Sequence, residues 1–479
     1  MRVLYVISEA DPFIKTGGLG EVGGSLPLAL KNKGIDVRVI IPKYSQIALE
    51  LKKKAIFLTS FNVPLGWRKQ YCGLQELIYG DVHYYLIDNE YYFNRVQAYE
   101  EYDDAERFSF FCRAVLESIR RFINFKPDII HCNDWQTALI PVMLKEFYAF
   151  DPLFVNIRTV VTIHNLRYQG IFDWEVYYDI LALPDQGLCY QRFEFYDSIN
   201  FLKAGILYAD EINTVSPTYA REIQNPYYGE KLDTILAVKK DFLTGILNGI
   251  DYGKYNPHTD PYIYVQYGSY TQKSKNKVKL QEDLGLKGNK NTPVLAVISR
   301  LVAQKGLDLL VHIMPQIMEM DVQLVVLGTG ELQYINSFHY YTRLYPDKIS
   351  YIDYYDEAMA HKIYAAADIM LMPSRYEPCG LTQMIAMRYG TIPIVRETGG
   401  LKDSVTPYNQ FTGEGNGFSF ANYNADELLY TIQRAVGAFY EESDRWEALV
   451  KNAMHSDFSW ERSAKQYVNL YTALFHNLS

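Results

Sequence analysis

The sequence is poor in cysteine and has no long hydrophobic run. Its cysteines are odd in number, scattered and without a CxxC pair, at positions Cys72, Cys112, Cys132, Cys189 and Cys379. This spacing predicts neither a disulfide framework nor a zinc site, and it favours a reduced cytoplasmic compartment. No apolar stretch reaches the ~18 residues of a membrane span. The N-terminal residues 1–13 have too short an apolar part for a signal peptide and indicate a buried first strand.

Several kinds of site are also missing. The sequence shows no Ser-His-Asp set, His-rich metal cluster or Walker loop. The adjacent acids Asp103 and Asp104 are expected in a loop before a helix rather than on a metal. A net charge of −9 gives no indication of nucleic acid or membrane as a partner. A local basic pocket for phosphate is still compatible with that charge.

What the sequence does have is a regular alternation of short Val- and Ile-rich runs with helical stretches. Most of these runs lack period-two alternation, as strands covered on both faces do. The alternation predicts an α/β fold with two Rossmann-like, doubly wound parallel-sheet domains facing a central cleft. The predicted strands are Arg2–Ser8, Asp36–Ile41, Val82–Ile87, Asp128–Cys132, Thr159–Ile163, Glu211–Val215, Leu243–Leu247, Val294–Ser299, Gln323–Leu327, Ile349–Ile352, Ile369–Met372 and Ile392–Val395.

The domain limits follow from where this rhythm restarts. We predict an N-terminal domain over residues 1–247, a C-terminal domain over 248–460 and a terminal helix within 461–479. That helix, at about Ser463–Leu478, carries Tyr467, Leu470, Tyr471, Leu474 and Phe475 on one face. It is expected to pack on a neighbour and to return to the first domain. Other predicted helices are Ala105–Phe122, Ser198–Tyr208 and Asp356–Ala366, and the polar segment Tyr262–Asn291 is expected to be a surface excursion.

A glycine-rich run, Lys15–Gly24, follows the first strand. Glycines let backbone N–H groups approach a phosphate closely, and a following helix start adds partial positive charge. Part of the run also fits G-x-G-x-x-G, the dinucleotide fingerprint. That fingerprint directly follows its strand, whereas here the glycines come about ten residues later, which disfavours it. A structural glycine turn without a ligand is the other alternative.

Two motifs in the second half also follow strands. Residues 299–306 place Arg300 and Lys305 in one loop, and residues 373–383 place Glu377 just before a predicted helix start near Gly380. Two cations with free helix-start N–H groups suit a diphosphate, and Glu377 suits sugar hydroxyls. The alternatives are solvated surface cations and an acid that complements the helix dipole.

Two further motifs follow strands in the first half. Residues 164–170 read HNLRYQG directly after a strand, and residues 133–136 read NDWQ after another. A lone histidine is more often structural than functional. Because ligands of open α/β sheets bind beyond the carboxyl ends of strands, both motifs are nevertheless expected to line the cleft.

Taken in order, these motifs resemble one family. They are KTGGL (15–19), HNLRYQG (164–170), NTVSPTYAREI (213–223), LNGID (247–251), SRLVAQKG (299–306) and PSRYEPCGLTQ (373–383). The chain resembles bacterial glycogen synthases and plant starch synthases from its first strand to about Trp460. The resemblance implies the GT-B glycosyltransferase fold and a retaining transfer of glucose. The donor would be ADP-glucose, the acceptor the nonreducing 4-OH end of an α-1,4-glucan such as glycogen, with no metal and no cofactor.

The resemblance also implies roles for individual residues. Glu377 matches the acid that contacts the donor glucose, and His164 and Asn248 match residues near the sugar. Asp134 and Glu9 are expected on the acceptor side. Matches to the remaining donor-binding positions are Lys15, Gly17, Gly18, Arg300, Lys305, Tyr355, Gly380, Leu381 and Thr382.

The chain departs from the family pattern in places. Gly20 and Glu21 replace the usual Ala-Asp after KTGGL, which puts acceptor preference in doubt more than the chemistry. Two alternatives stay open at this point: another retaining enzyme of the same fold, of sucrose or trehalose type, and an inactive glucan-binding protein. The sequence does not separate ADP-glucose from UDP-glucose.

Overall fold

The Val- and Ile-rich runs form two parallel sheets, in a computed structural model that describes residues 1–122, 124–183, 187–441 and 443–476. The chain divides into two compact units. The first contains Met1–Val215, Ala220–Gly249 and the segment from Trp460 onward, and the second contains Ser216–Tyr219 and Ile250–Ser459. Each unit carries one of the large sheets, which confirms the predicted α/β class with two Rossmann-like domains.

The first unit holds a large sheet and a small one. The large sheet has the order β12-β11-β7-β6-β1-β2-β5-β4-β3, in which only β3 and β4 run antiparallel to their neighbours, and the small one has the order β8-β10-β9. The strands are β1 Arg2–Val6, β2 Asp36–Pro42, β3 Ile56–Leu65, β4 Arg68–Tyr79, β5 Val82–Asp88, β6 Ile129–Asn133, β7 Arg158–Ile163, β8 Ile171–Phe172, β9 Glu194–Phe195, β10 Ser198–Asn200, β11 Glu211–Thr214 and β12 Leu243–Gly245.

The sheet of the second unit is parallel throughout, with the order β15-β14-β13-β16-β17-β18. Its strands are β13 Val294–Ile298, β14 Gln323–Leu327, β15 Ile349–Ile352, β16 Ile369–Met372, β17 Ile392–Arg396 and β18 Phe418–Phe420. In each sheet the strands that follow the first one are added on one side of it and later strands on the other side. The strand order therefore reverses between β1 and β6 in the first sheet and between β13 and β16 in the second. Loops at such a switch point diverge and leave room for a ligand.

Helices cover both sheets. Those before Gly249 are α1 Gly18–Asn32, α2 Leu49–Lys52, α3 Glu90–Phe93, α4 Asp104–Ile119, α5 Leu139–Phe147, α6 Leu188–Phe193, α7 Phe201–Tyr208, α8 Pro217–Glu222 and α9 Asp233–Val238. Those after it are α10 Tyr270–Asp283, α11 Leu307–His312, α12 Met314–Glu319, α13 Leu332–Leu344, α14 Glu357–Ala366, α15 Thr382–Arg388, α16 Gly399–Ser404, α17 Ala425–Glu441, α18 Ser443–His455 and α19 Trp460–His476. In the described parts of the chain no helix has the length and apolarity that a membrane crossing needs.

All twelve predicted strands are present, with ends shifted by no more than two residues. Most of them have side chains buried on both faces, as in β14 and β16, where every residue is buried. Burial on both faces is what removes the alternating pattern from the sequence. The hairpin β3–β4, the small sheet β8–β10 and strand β18 were not predicted.

The prediction that Tyr262–Asn291 is a surface excursion is wrong. The segment contains helix α10, which packs on α14 and buries Lys273 and Lys277 to 2% and 3% exposure. The Lys273 ammonium donates to the carbonyls of Tyr364 and Ala365 at the end of α14, at 3.0 and 2.9 Å. Burial lowers the pKa of Lys273 to about 7. The prediction failed because lysines were taken as a sign of a surface segment, whereas Lys273 caps buried carbonyls.

Two helix predictions also need correction. Ser198–Asn200 forms strand β10, and the helix predicted from Ser198 begins at Phe201, where the Asn200 side chain caps it by accepting from Lys203 N. The terminal helix ends at His476 among the described residues, so the predicted end at Leu478 lies outside them. It packs on α1, and the predicted face is buried except for Phe475. On that face the hydroxyls of Tyr467 and Tyr471 contact Asn213 of β11 and His131 of β6.

The buried ion pair of α10 provides a test of this packing. Lys277 Nζ lies 2.7 Å from Asp368 Oδ2, with side-chain exposures of 4% and 2%. Lys277→Met leaves the Asp368 carboxylate buried without its cation, so we expect the free energy of unfolding to fall by about 3 kcal/mol. Urea denaturation measures this. Lys275→Met, on the exposed side of the same helix, is the matched control and should change stability by less than about 0.5 kcal/mol. Equal effects of the two variants would contradict the burial of Lys277.

Candidate active site

A pocket of about 170 Å³ lies at the carboxyl ends of β13 and β16, the switch point of the second sheet. The two predicted cations Arg300 and Lys305 line it, together with Thr382 of the predicted helix start. Hydroxyl groups of Ser299 and Ser374 belong to the same wall. The Ser299 Oγ is buried and has no hydrogen-bond partner among the described residues. Two cations and one unsatisfied hydroxyl around a cavity of this size favour an anionic ligand such as a phosphate group.

Lys305 and Glu377 are directly paired at this pocket. Lys305 Nζ donates to Glu377 Oε2 at 2.6 Å, and Ser374 Oγ donates to the same oxygen at 3.0 Å. Glu377 is 7% exposed, so its carboxylate is held in one orientation rather than solvated. An ammonium carries three N–H donors, which leaves Lys305 free to bind an anion while it still holds Glu377.

A close approach of two loops brings this pair together. Gly306 has φ 69°, and a Cβ on it would lie 2.0 Å from the carbonyl oxygen of Pro373. Only glycine allows both the left-handed conformation and this contact. The backbone N–H of Arg375 donates to the carbonyl of Gln304 at 2.8 Å, which ties the loop after β16 to the loop after β13. Lys305 therefore ends up beside the Glu377 loop although 72 residues separate them.

The helix starts beside the pocket differ slightly from those predicted. A 3-10 turn, Ala303–Lys305, precedes α11, so the regular helix begins at Leu307 rather than near Gly306. Likewise α15 begins at Thr382, and Gly380 and Leu381 form the turn that enters it. These two residues and Thr382 are half-buried at the edge of the pocket. Backbone N–H groups in the first turn of a helix have no acceptor within the helix and can serve an anion.

Tyr355 lies in the loop between β15 and α14 and is 65% exposed. The neighbouring Asp356 caps α14 by accepting from Met359 N. The cap fixes where the helix starts, and an exposed aromatic ring just before it has the chemistry to stack on a planar base.

In the first unit the glycine-rich run divides into two parts. Gly17 and Gly18 stand at the start of α1, and a Cβ on either would meet nothing within 4 Å. Gly23, inside the helix, would instead place a Cβ 2.3 Å from the carbonyl oxygen of Glu9. The later glycines thus serve helix packing, while the first two leave open backbone. Lys15 forms ion pairs with Glu21 and, at 3.8 Å, with Asp11.

The predicted acceptor residue Glu9 lies just after β1 and is 3% exposed. Its carboxylate accepts from the backbone N–H and hydroxyl of Thr16 at 2.5 and 2.8 Å, and from the Tyr99 hydroxyl at 2.8 Å. Glu9 is thereby connected to the loop that carries Lys15. The sequence did not indicate Tyr99, because it lies in an irregular segment that follows no strand.

Asp134 and His164 form a second group, after β6 and β7. Asp134 Oδ1 accepts from His164 N at 2.7 Å, and His164 Nε2 lies 2.9 Å from Asn133 Oδ1. Burial raises the pKa of Asp134 to about 7 and lowers the pKa of His164 to about 3. The imidazole is therefore neutral at physiological pH and acts as a hydrogen-bonding group rather than as a cation.

Asn248 lies beyond β12, at the same edge of the first sheet. It is 6% exposed, and its Oδ1 is buried without a hydrogen-bond partner among the described residues. A buried amide oxygen without a donor is costly unless a ligand supplies one. This orphaned atom is the physical reason to keep Asn248 as a binding residue.

Residues 1–122, 124–183, 187–441 and 443–476 contain no group of three or more His, Cys, Asp or Glu side chains arranged to hold a metal ion. All five cysteines are free and buried. One functional residue that the sequence analysis passed over is Ser374, whose hydroxyl fixes Glu377. Its position between the end of strand β16 and Glu377 could have indicated this role from the sequence.

The raised pKa of Asp134 predicts a pH dependence. The folded carboxyl keeps its proton up to about pH 7, whereas the unfolded one loses it near pH ~4. The folded state therefore binds more protons in between, so the stability that Asp134 contributes is lost as pH rises from ~4 to 7. Asp134→Asn keeps an oxygen that accepts from His164 N but cannot ionise. Its free energy of unfolding should fall less between pH 5 and pH 8 than that of the parent, as measured by urea denaturation. An equal fall in the free energy of unfolding between pH 5 and pH 8 in Asp134→Asn and in the parent would contradict the burial of this carboxyl.

Comparison with known proteins agrees with this geometry. The family model described as the starch synthase catalytic domain matches residues 2–238, and the model described as glycosyl transferases group 1 matches residues 281–453. The glycogen synthase of Desulfitobacterium hafniense is 54% identical over 477 residues, covering 100% of both chains. That of Clostridium novyi is 51% identical over 478 residues, covering 99% of this chain and 100% of its own.

Solved structures show the same relationship. The catalytic domain of starch synthase IV from Arabidopsis thaliana, bound to ADP and acarbose, matches with a TM-score of 0.89 and 35% identity, covering 98% of this chain and 99% of its own. A sucrose-phosphate synthase from Thermosynechococcus elongatus matches with a TM-score of 0.62 and 19% identity, covering 99% of each chain, which shows the fold alone. These matches confirm the GT-B fold and the resemblance noted in the motifs. The chain belongs to the glycogen and starch synthase family of glycosyltransferases.

Proposed function

We propose that this glycosyltransferase moves glucose from ADP-glucose to the nonreducing 4-OH end of an α-1,4-glucan such as glycogen, with retention at the anomeric carbon. The observation that carries the proposal is the pocket at the switch point of the second sheet, where Arg300 and Lys305 meet beside the buried Glu377. The related starch synthase IV was solved with ADP and acarbose. A nucleotide and a glucan-like ligand in that structure agree with the donor and acceptor proposed for this chain.

The second unit is proposed to bind the donor. Arg300, exposed at the pocket, offers a planar fork for phosphate oxygens, and Lys305 offers a point charge. The half-buried N–H groups of Gly380, Leu381 and Thr382 add partial positive charge. As the bond from the anomeric carbon to the diphosphate breaks, negative charge grows on the leaving oxygens. Groups already placed around those oxygens stabilise it without reorganising, and this lowers the barrier. Tyr355 is proposed to stack on the base.

Glu377 is proposed to hold the donor glucose. One of its oxygens already accepts from Lys305 and Ser374, so the carboxylate is fixed before any sugar arrives. A fixed carboxylate accepts hydrogen bonds from sugar hydroxyls and favours the positive charge that develops on the ring in the transition state. The acceptor oxygen forms its bond to the anomeric carbon on the face that the diphosphate leaves, which keeps the configuration. The proton of the acceptor hydroxyl passes to the departing phosphate oxygen.

The first unit is proposed to serve the sugar and the glucan. His164, neutral through burial, gives or accepts a hydrogen bond with a sugar hydroxyl, and Asn248 offers its orphaned oxygen to another. Asp134 holds the backbone of His164 and belongs to the acceptor side. Lys15, Gly17 and Gly18 are proposed to meet the donor phosphates. We place the activity in the cytoplasm, which the five free cysteines support.

Glucose incorporation tests the function directly. The protein is incubated with glycogen and either labelled ADP-glucose or labelled UDP-glucose, and label in precipitated glycogen is counted. We expect incorporation from ADP-glucose, in α-1,4 linkages, at a higher kcat/KM than from UDP-glucose. Transfer to free glucose or fructose instead of glycogen would indicate a sucrose- or trehalose-type enzyme. Glucan binding without transfer from either donor would indicate an inactive glucan-binding protein.

The two pocket cations give the first mutational prediction about the transfer activity. Arg300→Ala and Lys305→Ala should each lower kcat by roughly 10²–10³, the scale of losing one strong contact to developing charge. The assay is the initial rate of glucose transfer at saturating ADP-glucose. Lys290→Ala removes an exposed cation of the same unit and should leave the rate unchanged. Near-normal turnover of both pocket variants would refute the assignment.

Glu377 gives the second. Glu377→Gln keeps the shape of the side chain and removes its charge, so the donor glucose loses its anionic partner while the phosphate groups keep theirs. We expect ADP affinity within about threefold of the parent and a transfer rate lower by roughly 10² or more. Calorimetry with ADP and the transfer assay measure the two quantities. A large loss of ADP affinity with normal kcat would show that Glu377 supports only the nucleotide.

A further inference from the structure

We propose that Glu9 and Tyr99 are positioning residues for the donor, which hold the Lys15–Gly18 loop through Thr16. The proposal rests on the donor role of that loop in the proposed function. It departs from the acceptor role that the sequence suggested for Glu9. The two roles differ in which substrate constant Glu9 controls.

Two of the hydrogen bonds that the Glu9 carboxylate accepts come from one residue of the loop, Thr16. Both carboxylate oxygens accept from Thr16, one from its backbone N–H at 2.5 Å and the other from its hydroxyl at 2.8 Å. Thr16 lies between Lys15 and Gly17. The two hydrogen bonds therefore fix the residue that separates the Lys15 cation from the glycines Gly17 and Gly18. With 3% exposure, Glu9 has little surface to offer a polymer acceptor.

Tyr99 holds the same carboxylate oxygen that accepts from the Thr16 hydroxyl. Its hydroxyl donates to Glu9 Oε1 at 2.8 Å and lies 2.8 Å from Ser8 Oγ. Burial, together with the negative charge of Glu9, raises the pKa of Tyr99 well above its usual value. The phenol therefore stays protonated and donates to the carboxylate throughout the working pH range.

The glycine end of the loop needs such an anchor, because the ion pairs of Lys15 with Glu21 and Asp11 hold only its other end. Added Cβ atoms at Gly17 and Gly18 would meet nothing within 4 Å, so packing does not hold these two residues. Glycine also loses more conformational freedom on ordering than other residues. A loop ordered beforehand binds the diphosphate without a further entropic cost, so weakening the anchor should weaken donor binding.

The test compares matched variants in the full-length protein. Glu9→Gln replaces one acceptor oxygen by an NH₂ group, which cannot accept from Thr16 or Tyr99. Thr16→Val removes the hydroxyl at similar volume, and Thr16→Ser restores it. Tyr92→Phe is the control for Tyr99→Phe, because the Tyr92 hydroxyl also donates to a glutamate, Glu106, away from this loop.

We expect Glu9→Gln to raise the Kd for ADP and the KM for ADP-glucose about tenfold or more, the scale of a lost bond to a charged group. Thr16→Val and Tyr99→Phe should show a smaller rise, while Thr16→Ser and Tyr92→Phe should match the parent. The KM for glycogen should stay within about twofold in all of them. Trypsin should cleave after Lys15 faster in Glu9→Gln and Thr16→Val only, which reports loop order without any activity.

Two results would overturn the inference. One is an unchanged Kd for ADP in Glu9→Gln with a raised KM for glycogen, which would return Glu9 to the acceptor side. The other is an unchanged Kd for ADP and unchanged cleavage after Lys15 in both Glu9→Gln and Thr16→Val. If the parent protein transfers no glucose at all, the proposed function fails instead, and ADP affinity and cleavage still decide the role of Glu9.

Discussion

The pair formed by Lys305 and Glu377 is the interaction on which the proposed chemistry depends. A carboxylate buried to 7% exposure beside a cation at 2.6 Å is held in one place, and it holds the cation in turn. The pair exists because β13 and β16 are neighbouring parallel strands, whose following loops leave the sheet at the same edge. Gly306 then lets the two loops touch. One topological constraint thus places Lys305, the cation proposed to bind phosphate, beside Glu377, the acid proposed to bind the sugar.

The first unit uses a related arrangement with a different balance of charge. Here the residues after β1, β6 and β7 are mostly acids, amides and an imidazole. Burial raises the pKa of Asp134 and lowers the pKa of His164, so it favours the uncharged form of both side chains. Such groups suit the hydroxyls of sugars, which need directed hydrogen bonds rather than charge. Lys15, in the loop after β1, is tied to Glu21 and Asp11. Uncharged hydrogen-bonding groups therefore prevail in the second group of the first unit, whereas the pocket of the second unit is lined by two cations, Arg300 and Lys305.

How much of this could be predicted depends on how local the cause is. Strands such as Gln323–Leu327 were predicted to the residue, because burial on both faces leaves a continuous apolar run. The motifs that carry Arg300, Glu377 and His164 were found because each directly follows a strand. The buried Lys273 and Lys277 were taken for surface residues, since a lysine that caps carbonyls or pairs with Asp368 looks like any other lysine in sequence.

The contacts made at long range could not be predicted at all. Glu9 and Tyr99 are 90 residues apart, and no spacing or periodicity connects them. The bond from Ser374 to Glu377 is local, and there the sequence shows proximity but not that the hydroxyl holds the carboxylate. Motifs identify which residues are available, and only the packed loops show which of them act on each other.

Binding of a diphosphate by the second unit through Arg300 and Lys305 can be tested by comparing the affinities of ADP and AMP. Calorimetric titration of the parent protein and of Lys305→Ala measures both. The account predicts that the parent binds ADP at least about tenfold tighter than AMP, and that the Lys305→Ala variant loses most of this difference. Equal affinity of the parent for ADP and AMP would contradict it.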